Sequence, residues 1–178
     1  RFSSPEQARK SGVLMIPKER LYEGIVGILS VEDNIALSNL EKMRAGKFVS
    51  PGRIEAQARE WIDKLSIKTN GPKELIMSLS GGNQQKVVFS RALASGCGII
   101  ILNHPTRGVD VGAREEIYSL IREIVAQGNS VILLGDTLDE CIGMATRIIV
   151  LRDGLIRAEF DASVENKPSP VDVVSHMM

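Results

Sequence analysis

The sequence predicts an α/β protein: a parallel sheet core with an α-helical subdomain inserted ahead of most of it. Two observations carry this. Three short, apolar, β-branched runs, residues 99–102, 131–134 and 148–151, are each bounded by turn or polar residues, and helical periodicity fills the segments between them. A strand, helix, strand, helix, strand order argues for parallel pairing with right-handed crossovers, and the first two runs read as strands buried on both faces.

Taken in order, Val13-Leu14-Met15-Ile16 reads as a short buried strand stopped by Pro17, followed by a charged loop through Lys18, Glu19 and Arg20. Ser30 and Asp33 have capping spacing and predict a short helix over 31–37. Ser50 followed by Pro51 marks a clearer start, with Ile54, Ala58, Trp61, Ile62 and Leu65 on one face of the helix. Trp61 on that face reads as core packing rather than as a docking residue. The polar stretch Leu79-Ser80-Gly81-Gly82-Asn83-Gln84-Gln85 opens a helix with Val88, Phe89, Ala92 and Leu93 along one stripe. Ile117, Leu120, Ile121, Ile124 and Val125 form the inward face of the next helix, stopped by Gly128. After a further helix with Leu138, Cys141, Ile142 and Ala145, the Asp153-Gly154 pair turns the third strand into an antiparallel partner at 155–160. Pro168 and Pro170 predict a loose tail with a last short helix near 171–176. The expected divisions are 1–29 for the end of a core, 30–78 for the helical subdomain, 79–161 for the main α/β part and 162–178 for the tail.

Composition excludes several classes. The 178 residues carry 22 basic and 22 acidic side chains, so no net field draws the chain to nucleic acid or anionic lipid. No apolar run approaches the roughly 18 residues of a membrane span, and Arg1-Phe2-Ser3-Ser4-Pro5 is no signal peptide, which predicts a cytoplasmic location. The absence of an initial Met suggests a piece of something longer. Cys97 and Cys141 lack C-x-x-C spacing and read as structural thiols.

The Ser80-Gly81-Gly82 run is suited to anion binding, since backbone N–H groups and the positive end of a helix dipole converge there and glycine admits close approach. With its neighbours Asn83, Gln84, Gln85 and Lys86 it resembles the signature motif of ABC ATPases, in the variant of monosaccharide importers. The resemblance continues in order through the Walker B-like run 99–102, Pro105-Thr106 and the D-loop-like Arg107-Gly108-Val109-Asp110, and upstream through Pro17-Lys18-Glu19-Arg20. It covers about residues 4–161 and is similar to the second ATPase half of tandem sugar-importer proteins. It implies the fold of a P-loop NTPase truncated at its N-terminus, ATP and Mg²⁺ as ligands bound mainly by a partner half, and an association with membrane permease subunits at the inner face of the plasma membrane.

The departures from that pattern are as informative as the matches. No G-x-x-x-x-G-K-[ST] occurs in the sequence. By the resemblance, Asn103 stands at the Walker B Asp position, where a neutral amide supplies no charge to a Mg²⁺ shell, and His104 stands at the catalytic Glu position. Asp136 falls at the switch position, where the family has His, and Lys18 at the Q-loop position. The expectation is a half that does not hydrolyse ATP alone, with Ser80, Gly81, Gly82, Asn83, Gln84 and Gln85 reaching a nucleotide in trans and Asp110 organising the seam. The partner would be a second ATPase half, in the same longer chain or as a homodimer. The alternatives are an interaction or regulatory fragment without a transport role, and a slow ATPase with His104 as base.

Overall fold

The computed structural model describes residues Arg1–Met178, in two units, Arg1–Ile132 and Leu133–Met178. The first unit begins with α1 (Pro5–Lys10), whose start was written in the sequence: the Ser4 hydroxyl accepts the Gln7 N–H at 3.2 Å and Pro5 takes the first helical position. Strand β1 (Val13–Ile16) follows, then one wide helical turn, Arg20–Gly24, closed by the Ile25 N–H on the Arg20 carbonyl at 2.9 Å. At α2 (Val31–Ala36) the Ser30 hydroxyl accepts the Asp33 N–H at 3.2 Å and donates to the Asp33 carboxylate at 2.6 Å. The shorter acid folds onto the capping hydroxyl instead of reaching back to the backbone.

A small exposed hairpin, β2 (Arg44–Ala45) with β3 (Phe48–Val49), leads into α3 (Pro51–Lys64). Two-residue strands with no buried side chain leave no periodic signal in the sequence. Helix α3 starts where Ser50-Pro51 predicted, although the Ser50 side chain makes no capping bond, and only Ala58 on its apolar face is fully buried. Trp61 is half-buried, with the Lys64 ammonium 4.8 Å from its ring centroid.

Helices α2 and α3 support α4 (Gly81–Ala94), the longest buried surface of the unit, with Val87, Val88, Phe89 and Ala92 all withdrawn from solvent. Asn34 on α2 is the fastening. Its side-chain oxygen accepts the Val26 N–H at 2.9 Å and Arg91 Nη2 at 3.0 Å, its amide donates to the Val26 carbonyl at 3.1 Å, and its own carbonyl accepts Arg91 Nε at 2.7 Å. Burial pushes the Arg91 pKa down to about 10, so the guanidinium remains charged at neutral pH and depends on these partners.

Strand β4 (Ile99–Asn103) is the centre of a three-stranded sheet, between β1 and β5 (Ser130–Leu134). β1 and β4 run parallel, in register from Val13 opposite Ile99 to Ile16 opposite Leu102. The expectation of burial on both faces does not hold: Ile16, Ile100 and Leu102 are at most 1% exposed, while Met15 is 54% and Ile99 37% exposed. The helices of the unit cover one face, and a continuous apolar run reads the same whether its second face is covered or not. Helix α5 (Val111–Ala126) buries Ile117, Leu120, Ile121 and Ile124 as predicted, whereas Val125, expected on the same face, is 49% exposed because it lies one position, about 100°, round the helix from Ile124; the helix ends before Gly128, at φ 89°.

The second unit holds α6 (Leu138–Met144), β6 (Arg147–Arg152), β7 (Leu155–Asp161) and α7 (Pro170–Ser175). β6 was expected as a third strand of the parallel sheet; it forms instead a separate two-stranded antiparallel sheet with β7. The connecting Asp153 and Gly154 have φ of 53° and 75°, both left-handed, which is the mirror-image turn whose twist suits a hairpin. The tail is not loose, because Ala162 and Val173 join Ile148 and Val150 in a core. Lys167 anchors it by donating to the Ile142 and Ala145 carbonyls at 2.6 and 2.7 Å, where a cation also suits the end of α6.

Replacing Asn34 by Ala removes the side-chain acceptor of Arg91 Nη2 and both bonds to the Val26 backbone, leaving only the Asn34 carbonyl on Nε, and we expect a loss of about 3 kcal/mol in urea unfolding. A loss below about 1 kcal/mol would contradict the fastening role.

Candidate functional site

Parallel pairing of β1 with β4 sends Pro17-Lys18 and Asn103-His104 out at the same edge of the sheet, beyond the carboxyl ends of the strands, where ligands of open parallel sheets bind. Lys18 lies half-buried two residues past β1, and Asn103 is the half-buried last residue of β4. His104 adopts φ 51°, a left-handed backbone more open to His than to most side chains, and its carbonyl accepts the Arg107 N–H at 3.2 Å in the turn that follows. Thr106 is 1% exposed within that turn. No three carboxylate, imidazole or thiol groups converge in the chain.

The start of α4 is built differently from most other helix starts in the chain. In α1, α2, α5, α6 and α7 the N-cap side chain accepts a first-turn N–H; at α4 the Ser80 hydroxyl makes no such bond and accepts the Asn83 side-chain amide instead, at 2.9 Å. Ser80 is exposed at the tip, and the first-turn N–H groups of Gly81, Gly82 and Asn83 keep the orientation that favours an anion. The Asn83 oxygen is occupied by the Lys68 N–H at 2.8 Å.

Both glycines also have a packing reason. A Cβ on Gly81 would lie 3.0 Å from Arg20 Nη2 and 3.3 Å from the Gly108 carbonyl oxygen, and one on Gly82 would lie 2.7 Å from the Ala113 Cβ. The turn is therefore pressed against the beginning of α5, where Asp110 caps the helix by accepting the Ala113 N–H at 2.8 Å. Lys86 and Glu116 add an ion pair between α4 and α5 at 2.8 Å, and the hydrogen bond from Lys86 holds the Glu116 carboxyl below its ordinary range.

Gln84 and Gln85, expected alongside Ser80 as ligands, are turned inward at 5% and 3% exposure. The Gln84 oxygen accepts Arg20 Nε at 3.2 Å and its amide donates to the Ile76 carbonyl at 3.3 Å. Helical geometry requires this, since residues three and four past Gly81 face the buried side of α4 when the tip faces outward. Arg20 was not singled out by the sequence, because its partner lies 64 positions away. Desolvation lowers its pKa.

Asp136 belongs to the second unit. It is exposed, and its N–H donates to Glu140 Oε2 at 2.6 Å, just before α6, whose cap is Thr137. A Cβ on the preceding Gly135 would meet Cys141 Sγ at 2.7 Å, so this turn is tightly packed. Burial pushes the Cys141 thiol up, and Cys97 is buried with its sulfur 3.1 Å from the Ser95 hydroxyl, which agrees with structural roles for both.

The fold, a parallel sheet packed with helices, is the one seen in solved ATP-binding cassettes. Solved cassettes superpose on the chain: a dimeric cassette in a post-hydrolysis state bound to ADP and phosphate matches with a TM-score of 0.70 at 22% identity, over 90% of this chain and 68% of that one. A nucleotide-free ATP-binding cassette matches with a TM-score of 0.75 at 18% identity, over 98% of this chain and 71% of that one. In sequence, the chain is a homologue of sugar-import ATP-binding proteins. It is 39% identical to a ribose import ATP-binding protein of Shouchella clausii over 160 residues and 44% identical to an arabinose import ATP-binding protein of Pectobacterium atrosepticum over 158. These alignments take in 90% and 88% of this chain but 32% and 31% of the relatives, so the chain spans about a third of their length. No family model matches the chain.

The contact at Gly82 gives a direct test of the packing. Gly82→Ala is expected to destabilise by about 2 kcal/mol through overpacking, and Ala113→Gly in the same chain to restore most of it. A neutral Gly82→Ala, measured by denaturant unfolding, would contradict the contact.

Proposed function

We propose that the chain donates the start of α4 to an ATP site held by a partner ATPase half, and does not hydrolyse ATP by itself. The observation that carries this is the exposed tip of α4. Ser80 presents a hydroxyl, and the N–H groups of Gly81, Gly82 and Asn83 point the same way without a capping side chain, a geometry matched to the terminal phosphate of a nucleotide bound elsewhere. Asp110 contributes by fixing the α5 turn against which the tip rests.

The same residues do not suit hydrolysis in cis. Asn103 at the strand end brings no charge, and no acidic cluster converges beside it. Mg²⁺ and the body of ATP would then be held by the partner half, and no step is assigned to the metal on this chain. Asp136 at the switch position adds a carboxylate where a cation or neutral imidazole is needed.

We assign the assembly to an importer, with membrane permease subunits as partners on the cytoplasmic side and a sugar as the solute. The names of the ribose and arabinose relatives support the class of solute. A cluster of exposed apolar residues supports docking: Ile28 at 86%, Leu75 at 57% and Met77 at 54% are exposed on two segments joined by the Ile76 N–H on the Leu29 carbonyl at 3.1 Å. We retain the division at 30–78 as the helical part that transmits closure to those subunits.

Mixing a competent ATPase half with the chain should raise ATP turnover, and Ser80→Arg should remove that stimulation by about a hundredfold or more, the scale of a lost charge-stabilising donor. Unchanged stimulation would sink the reading.

A further inference from the structure

Two consecutive residues after β1 bind two different elements. Glu19 Oε1 pairs with Arg107 Nη1 at 2.8 Å, on the turn between β4 and α5. Arg20 Nε donates to Gln84 on α4 at 3.2 Å, and its Nη2 lies 3.0 Å from the position a Cβ would take on Gly81. The Gly108 carbonyl oxygen closes on that same point from the other side, at 3.3 Å. Residues 17–24, 80–84 and 107–113 therefore meet at Gly81.

Stability does not account for the arrangement. The Glu19–Arg107 pair is about half exposed on both sides, at 46% and 48%, and pairs of that kind add little to folding. Arg20 is a cation set beside the positive end of a helix dipole, an unfavourable placement in the isolated chain, and burial already lowers its pKa. An anion brought to the tip of α4 reverses that sign.

We propose that Glu19 and Arg20 form a positioning brace that holds the Ser80-Gly81-Gly82 tip in register with the Arg107-Gly108 turn, so that the tip meets a partner's phosphate in the correct place. The proposal rests on the donation in trans argued above. Neither residue touches the reacting atoms; Arg20 acts through Gln84 and Gly81, and Glu19 through Arg107.

The test uses the full chain with a competent ATPase half and reads both turnover and amide hydrogen exchange. Arg20→Gln is expected to lower the stimulated turnover number about tenfold or more while leaving the KM for ATP unchanged, since misplacing a positioned group costs rate rather than the partner's grip on the nucleotide. Glu19→Arg and Arg107→Glu should each lower it, and the exchanged pair Glu19→Arg with Arg107→Glu should return it to within about threefold of the unaltered chain. Turnover unchanged by Arg20→Gln, or an exchanged pair no better than its single variants, would overturn the brace. Exchange of the Gln84 amide, which donates to the Ser80 carbonyl at 2.9 Å in the first bonded turn of α4, separates this from a failure of the functional reading. If Ser80→Arg leaves stimulation intact, that reading falls. The brace is then judged by whether Arg20→Gln speeds exchange of that amide about tenfold, as expected, or leaves it unchanged, which overturns it.

Discussion

Helix α4 is held at both ends, and the rest of the first unit is arranged around that hold. Its last turn is fastened to α2 and the loop after it: Arg91 is enclosed by Asn34, Asn39 donates to the Ala94 carbonyl at 3.1 Å, and Lys42 caps the Ser95 carbonyl at 3.0 Å. Its first turn is pressed by two glycines against Arg20, Gly108 and Ala113. Side chains satisfy the carbonyl end, with a cation placed as the helix dipole favours, while the N–H end is left open to solvent at Ser80. An amide-rich tip with no internal acceptor has free energy to gain from an anion, and a helix fixed at its far end delivers that tip in one place.

The uncharged strand end and the exposed tip lie on different elements. Asn103 and His104 end β4, whereas Ser80 and Gly81 belong to a helix held by α2, α3 and α5. The two are joined through the turn at 104–108, where the His104 carbonyl accepts the Arg107 N–H and the Gly108 carbonyl lies against Gly81. Glu19 and Arg20 leave β1 at the same edge and run directly to the tip, so they also join the strand ends to α4.

Much of the fold was legible because it was local. The Ser50-Pro51 start of α3, the inward face of α5 and the Asp153-Gly154 hairpin each follow from residues within one turn of each other. What could not be read was the sheet partner of β6 and the open face of β1 and β4, since apolar runs do not specify their neighbours. At the candidate site, Ser80, Gly81 and Gly82 announced an anion-directed turn, but the inward direction of Gln84 and Gln85 depended on which face of α4 was buried. Asn34 gave no signal and Arg20 only that of a charged loop within the resemblance, because each takes its role from a partner 57 or 64 positions along the chain.

The proposed donation places the α4 tip against a nucleotide held by another half. Amide resonances of Gly81, Gly82 and Asn83, followed by nuclear magnetic resonance, test it most directly. They should stay in place when Mg-ATP is added to the chain alone and shift when Mg-ATP and a competent ATPase half are present together. Shifts with Mg-ATP alone, or none with both, would contradict it.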